Sequence, residues 1–308
     1  GGLERSPLNE SFAHLQVLQG HGNIGYAAAI NRGVKHSRGT HIIVQNADVI
    51  AQPKCLAALR EALKTQDVIA PTSYLDRELT YRLPSTERYD FFSVLLRTLA
   101  PTAKWVQKWA YLRWQGQVSR AWRGKRCYEL SGAMLAFTRS VWNKLGRWDE
   151  RYFLYFEECD WLQRARRAGL RCAYSSEARA LHLYAQSPQA LKLQQERFNQ
   201  SRQIYESLYL RSWQRWVLKR VRCWVASHWS TRQMRPLNPK AMPTPRSLPC
   251  VLELCNSTLG FPAATALVKD PAQYKQAFHF ALPFIDQGFT LSVHDNCLAC
   301  DDKTAKPT

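Results

Sequence analysis

The chain has 308 residues, 45% of them hydrophobic, and carries 43 lysines and arginines against 24 aspartates and glutamates, a formal net charge of +19. This composition excludes a disordered chain, and the length excludes a disulfide-framework miniprotein; there is room for one sizeable α/β domain with a small appendage, or for two small domains. The cationic excess favours anionic partners, whether phosphorylated ligands, an acidic membrane surface or nucleic acid, without choosing among them.

In chain order, a first strand is predicted over residues 15–19, followed by the glycine-punctuated turn Gly20-His21-Gly22-Asn23. A helix over 26–37 carries the small residues Ala27, Ala28 and Ala29, and Gly39 ends it, where a residue free to take positive φ is useful. The unbroken run His41-Ile42-Ile43-Val44 reads as a fully buried parallel strand stopping at Asn46-Ala47-Asp48. Strand–helix–strand order predicts a doubly wound, mostly parallel sheet, in which ligands bind outside the carboxyl ends of the strands. Asp48 sits at such an end.

A second helix follows Pro53, with Leu56, Leu59 and Leu63 on one face, and 68–71 is another short strand. Residues 75–126 read as an insertion, with Trp105, Trp109, Trp114 and Trp122 among many cations. Core character returns over 130–137. A helix runs from about 157 to Gly169 with Trp161, Leu162, Ala165 and Ala168 inward, and 171–175 is a strand. A long basic, aromatic helix is predicted from 190 through 216 and on to 229. A proline-rich linker spans 236–249, and strand (251–254), helix (272–285) and strand (289–293) follow.

The nine cysteines are scattered, which points to a reducing compartment. Cys297 and Cys300 form one C-x2-C pair, with Cys250 and Cys255 too irregularly spaced to complete a zinc site, so free cysteines are expected. The sequence has no secretory signal and no apolar run long enough to span a bilayer.

Three features could carry chemistry. A carboxylate at Asp48 could hold a divalent metal against a diphosphate, or simply form a turn. Glu157, Glu158 and Asp160 crowd a predicted helix start. Mutual repulsion raises the proton affinity of at least one, as a general base requires, while acids in a first helical turn also occur merely to compensate the helix dipole. His182 could be a neutral metal ligand or a satisfied structural residue at the edge of a core.

The order and context of these residues resemble the family 2 glycosyltransferases, and within them the rhamnosyltransferase-like branch. Asn23-Ile-Gly25-Tyr26-Ala-Ala28-Ala-Ile-Asn31-Arg-Gly33 is similar to the family's N-x-G-F/Y-x-x-A-x-N-x-G stretch. Asn46-Ala-Asp48 is similar to the N-x-D form of its metal-binding motif. Ser131-Gly132-Ala133, Gly146-Arg-Trp148-Asp149-Glu150-Arg-Tyr-Phe153, Phe156-Glu157-Glu158-Cys-Asp160 and His182 with Ser187 are similar to its G-A, G-G-F-D-E-x-F-F, E-D-x-D and late-H series. The resemblance covers about residues 10–205. It implies a GT-A (Rossmann-like) fold and a metal-assisted inverting transfer of a sugar, with rhamnose suggested by the branch, from a nucleotide-diphosphate donor to a glycan or lipid-linked acceptor.

Residue by residue, it implies Asp48 and His182 as ligands of Mg2+ or Mn2+. Asn23, Gly25, Asn31, Asn46 and Gly132 would lie on the donor side, and Trp148, Asp149 and Glu150 on the acceptor side. Glu158 would be the base, Glu157 its alternative, and Asp160 an orienting or capping acid. The family opens with a strand that holds the nucleotide base, followed by a second strand ending in an aspartate. Here residues 1–10 resemble neither, and the first residue is Gly1, so the expectation is a fragment.

The resulting layout is a GT-A domain over 1–205, a basic amphipathic helical segment over 206–235 suited to an anionic membrane surface, the linker at 236–249, and a small α+β accessory or incomplete module at 250–308. Trp213, Trp216, Val217, Arg220 and Trp224 recur at near-helical spacing, as in interfacial helices. The expected location is therefore peripheral, on the cytoplasmic face of the plasma membrane. No nucleic-acid fold motif accompanies the basic residues, so nucleic acid is not an expected partner. Rival readings are a catalytically impaired scaffold in a glycan assembly complex and a membrane-surface binding protein.

Overall fold

A computed structural model describes residues 15–19, 22–183, 191–228, 248–255, 257, 262–286 and 289–294. Helix α1 (Tyr26–His36) buries Ala27, Ile30, Asn31 and Val34, one face at helical spacing. Strands β1 (His41–Gln45) and β2 (Val49–Ala51), helix α2 (Cys55–Ala62) and strand β3 (Val68–Tyr74) follow. Helices α3 (Phe91–Leu99) and α4 (Lys104–Trp122), joined by a short 3-10 turn, fill the predicted insertion. Strand β4 (Met134–Thr138), helices α5 (Arg139–Leu145) and α6 (Glu157–Arg167), and strand β5 (Cys172–His182) complete the central layer.

The five strands lie in the order β1-β4-β3-β5-β2. β3 and β5 pair in parallel, β4 is antiparallel to both β1 and β3, and β2 is antiparallel to β5. It follows that β1, β3 and β5 share one direction while β4 and β2 are reversed. The core between sheet and helices is rich in rings, with Phe137, Trp142, Trp148 and Trp161 in mutual contact.

Several expectations are corrected. β1 is not a fully buried parallel strand. It pairs antiparallel with β4 and buries Ile42 while exposing Ile43, the alternation of a strand with one face in water. Residues 15–19 form no strand, and among the described residues β1 pairs only with β4. In α2, Leu59 is buried but Leu56 points outward. Ala168 is not inward; it caps α6 at the surface. The single long helix is two, α7 (Leu191–Tyr209) and α8 (Ser212–His228). The chain doubles back at 210–211, and Arg222 of α8 then meets Glu206 of α7 at 2.7 Å.

A carboxyl-terminal module follows, with β6 (Cys250–Cys255), β7 (Ala264–Val268), helix α9 (Pro271–Asp286) and β8 (Thr290–His294) in the sheet order β7-β6-β8. It is docked on the central domain. Tyr81 sits in the module's apolar core and donates to the Ala277 carbonyl at 3.0 Å, and Arg82 bridges to Thr265. Glu253 is buried at the seam, where the Tyr111 hydroxyl lies 2.9 Å from both its oxygens and His294 Nε2 approaches to 3.1 Å. Cys250 and Cys255 carry free thiols. Cys297 and Cys300, most of the linker and Ser187 lie outside the described residues.

Candidate active site

The site begins where β1 ends. Asn46-Ala47-Asp48 turn the chain into β2, and the Asn46 amide donates to the Ala133 carbonyl at 2.8 Å, pinning the turn beside Gly132. β2 then runs antiparallel to the end of β5, with Val49 opposite His182. That register brings Asp48 Oδ2 to 3.4 Å from His182 Nε2, and the Leu183 amide donates to the Asp48 carbonyl at 2.9 Å. His182 is thus the last residue of a long strand rather than a residue several positions beyond a short one. Burial pulls its imidazole pKa down, and the Asp48 carboxylate, which pulls it up, does not overcome this. The neutral ring keeps a lone pair available.

Across the sheet rim, α6 starts from two consecutive left-handed residues, Tyr155 (φ 70°) and Phe156 (φ 69°). For residues with a Cβ this conformation costs roughly 1–2 kcal/mol each, and such outliers gather at functional sites. Glu157 is buried, and its Oε2 has no hydrogen-bond partner. Burial first, and the neighbouring Glu158 second, push its pKa well above the usual carboxylate value. Glu158 is half-buried and also raised by burial, against its own and the Cys159 backbone amides, which stabilise the anion.

Gly132 explains how Glu158 fits. A Cβ there would stand 3.0 Å from Glu158 Cβ and 3.1 Å from its Cγ, so any larger residue would make Glu158 shift. The Tyr26 hydroxyl donates to the Gly132 carbonyl at 2.8 Å. Its own pKa is raised by burial and then by Glu158, Glu157 and Asp48, so all three carboxylates act on one point. Asn46, Gly132, Glu157, Glu158 and His182 line a single cavity of about 1250 Å³, and Asp48 joins it through its contact with His182. Residues far apart in the chain thus meet at one rim of the sheet.

Other expected site residues have different partners. Asn31 is not placed to meet a donor. It is buried, its Nδ2 donates to the Trp148 carbonyl at 2.9 Å and to Glu150 Oε1 at 2.8 Å, and its Oδ1 accepts from the Trp148 amide at 3.0 Å. Trp148 is a core residue packed on Trp161 rather than an acceptor-side one. Asp149 is held by Arg151, with Oδ2 2.6 Å from Nη2, and that hydrogen bonding lowers its pKa. Trp148, Asp149 and Glu150 are absent from the cavity lining.

Asp160 is buried and takes up Arg164 Nε at 2.9 Å and the Tyr209 hydroxyl at 2.6 Å, which ties α6 to α7 and makes it a positioning residue. Asn23 accepts from the Gly25 amide at 3.2 Å and is exposed. Gly25 (φ 85°) is required by packing, since a Cβ would stand 2.7 Å from the Phe153 carbonyl oxygen. Neither lines the cavity. Sequence reasoning assigned no role to Tyr26, although it stands at the F/Y position of the first motif. It also missed the apolar far end of the cavity, where Leu254, Phe280, Phe284 and Phe289 of the carboxyl-terminal module contribute.

The mixed sheet between helices is an α/β fold of the GT-A kind, and its rim carries Asp48 beside a neutral His182, with Glu157 and Glu158 on the same cavity as the histidine. The chain belongs to the glycosyltransferase like family 2, whose model matches residues 9–205. It is similar to N-acetylglucosaminyl-diphospho-decaprenol L-rhamnosyltransferase of Mycobacterium tuberculosis, from strains CDC 1551 / Oshkosh and H37Rv, at 26% identity over 197 residues. That alignment takes in 58% of this chain and spans 62% of the length of each relative.

Proposed function

We propose that the chain transfers a sugar from a nucleotide-diphosphate donor to a hydroxyl of a lipid-linked glycan acceptor, with inversion at the anomeric carbon. The observation that carries this reading is that Glu157, Glu158 and His182 line one cavity, with Asp48 in contact with His182. Glu158 takes the proton of the attacking hydroxyl. Its raised pKa makes it a better proton acceptor than an exposed carboxylate, while the α6 amides favour its anion. Glu157, more deeply buried, holds a proton more tightly and keeps the second negative charge out of the site. Tyr26 fixes the Gly132 carbonyl, and Gly132 leaves the room in which Glu158 meets the sugar.

Asp48 and His182 would hold Mg2+ or Mn2+. Their carboxylate oxygen and neutral imidazole nitrogen suit such an ion, and among the described residues no third histidine, cysteine or acid joins them, which leaves further positions to diphosphate oxygens and water. The ion would supply charge neutralisation on the departing diphosphate. Rhamnose as the sugar, and a diphospho-lipid as the acceptor, are supported by the likeness to the mycobacterial enzymes.

A peripheral position on an anionic membrane surface, on its cytoplasmic side, belongs to the same reading. No helix among the described residues is long and apolar enough to cross a membrane. Instead Phe92, Trp105, Trp109, Trp213 and Trp216 on α3, α4 and α8 are 53–67% exposed, and Arg220 stacks on Trp216 at 5.5 Å. Exposed tryptophans beside cations suit the headgroup region. The test is metal-dependent release of nucleoside diphosphate from a panel of donors, beside sedimentation with anionic vesicles at low salt. Absence of release with every donor would favour the scaffold reading, and absence of vesicle binding would remove the membrane assignment.

A further inference from the structure

The cavity that holds the glutamates does not end at them. Its other end is walled by Leu83 and Trp122 of the central domain and by Leu254, Phe280, Phe284 and Phe289 of the carboxyl-terminal module. The module lies outside the stretch matched to the family, which stops at residue 205. Its rings form a continuous series. Tyr81 and Phe280 are 5.4 Å apart, Phe280 and Phe284 5.3 Å, and Phe284 and Phe289 5.5 Å.

Phe280, Phe284 and Phe289 pack against the edge of the module's core rather than within its fully buried stripe. On α9 the fully buried residues are Tyr274, Ala277, Phe278, Ala281 and Ile285, the inward face of an amphipathic helix. Phe280 and Phe284, one helical turn apart, lie beside that stripe, remain partly accessible and face the cavity.

We infer that this apolar end receives the isoprenoid chain of a polyprenyl-diphosphate-linked acceptor, so that the carboxyl-terminal module acts as the acceptor-tail wall of the active-site cleft. The inference rests on the transferase reading above and adds the chemical class that the far end recognises. Three observations favour this occupant. The apolar end is continuous with the glutamates, so one molecule can reach both. Arg97, a cation on the lining, is already paired with Glu87, and the rings offer no charge to a second nucleotide. The volume of about 1250 Å³ exceeds the roughly 300–1,000 Å³ of a site for one small ligand, as a long acceptor beside a donor requires.

Helix α4 also links this wall to the surface proposed to meet the bilayer. Its buried Trp114 and its Tyr111 face the module, while Trp105 and Trp109 of the same helix are exposed.

The test is binding of farnesyl diphosphate, dimethylallyl diphosphate and inorganic diphosphate to the full chain, measured by calorimetry below the micellar range. Farnesyl diphosphate should bind at least roughly tenfold more tightly than dimethylallyl diphosphate, because its added carbons leave water. Phe284→Ser and Phe289→Ser should each remove most of that difference, Phe284→Leu should keep it, and Glu158→Gln should leave it intact. Thermal melts identify any variant that fails to fold, and Phe289→Ser, outside the helix, guards against that outcome for Phe284→Ser. Equal binding of the three probes, or a chain-length difference untouched by both serine variants, would overturn the inference. A chain that shows the difference yet releases no nucleoside diphosphate from any donor would refute the transferase reading while leaving the tail wall standing. Donor turnover with no chain-length dependence would do the reverse.

Discussion

One wall of the cleft, built by residues 26–182, brings together Asp48, Glu157, Glu158 and a neutral histidine, while the opposite wall, built by residues 250–294, presents Leu254, Phe280, Phe284 and Phe289. The first is held by backbone devices at strand ends and a helix start. The second is held by side chains at a seam, with buried Glu253 between Tyr111 and His294 and with Tyr81 inserted into the module. Charge needs fixed partners and close approach, so it is encoded in short motifs around glycines. An apolar wall needs only rings of suitable size, and its role depends on what it is docked against.

The comparison is broken most severely at the charged wall. Glu158→Gln should lower turnover by about 10²–10⁴-fold, the range of a lost general base, with donor binding retained. Gly132→Ala should follow with about a tenfold loss, because its Cβ would press on Glu158 at 3.0 Å and move the base, and misplacement of that kind is costly. Steady-state kinetics with a fixed acceptor measure both.

Glu157→Gln sharpens the same wall through stability. Glu157 has a folded-state pKa raised by burial. Its contribution to stability is present below the unfolded carboxylate value and is lost as pH rises through the raised folded value. The melting temperature of Glu157→Gln should therefore exceed that of the native chain at neutral pH, by a margin that shrinks on acidification. A margin independent of pH would mean that Glu157 is not a buried, reluctant acid. The smallest effect belongs to the seam. Tyr111→Phe should destabilise by about 1–2 kcal/mol, since buried Glu253 loses a donor, and calorimetric melts would show it.

Most of the central layer was legible because its periodicities are local. The helix at 26–37, the start of α6 and the core character of 130–137 follow from local residue patterns alone. What failed did so for physical reasons. The apolar run of β1 looks the same whether a strand is buried on two faces or one, and only its pairing with β4 decides. Asn31 and Trp148 stand in the right motifs, but a motif does not say whether a residue touches a ligand or braces the loop that does. Here they bond to each other. The Asp48–His182 contact depends on β2 and the end of β5 finding a common register, which joins positions far apart in the chain. The role of Phe280 and Phe284 was illegible because nothing in residues 271–286 specifies what lies across the cavity.

The most direct test of the central claim, that Glu158 accepts the acceptor proton beside a buried and more strongly proton-binding Glu157, is the pH dependence of kcat/KM for the native chain and for Glu157→Gln. The account predicts that activity falls on acidification at a pH above the ordinary glutamate range, because burial raises Glu158, and that Glu157→Gln, which exchanges a protonated carboxyl for a neutral amide, leaves this fall in place. A fall within the ordinary glutamate range, or one that Glu157→Gln moves to lower pH, would contradict it.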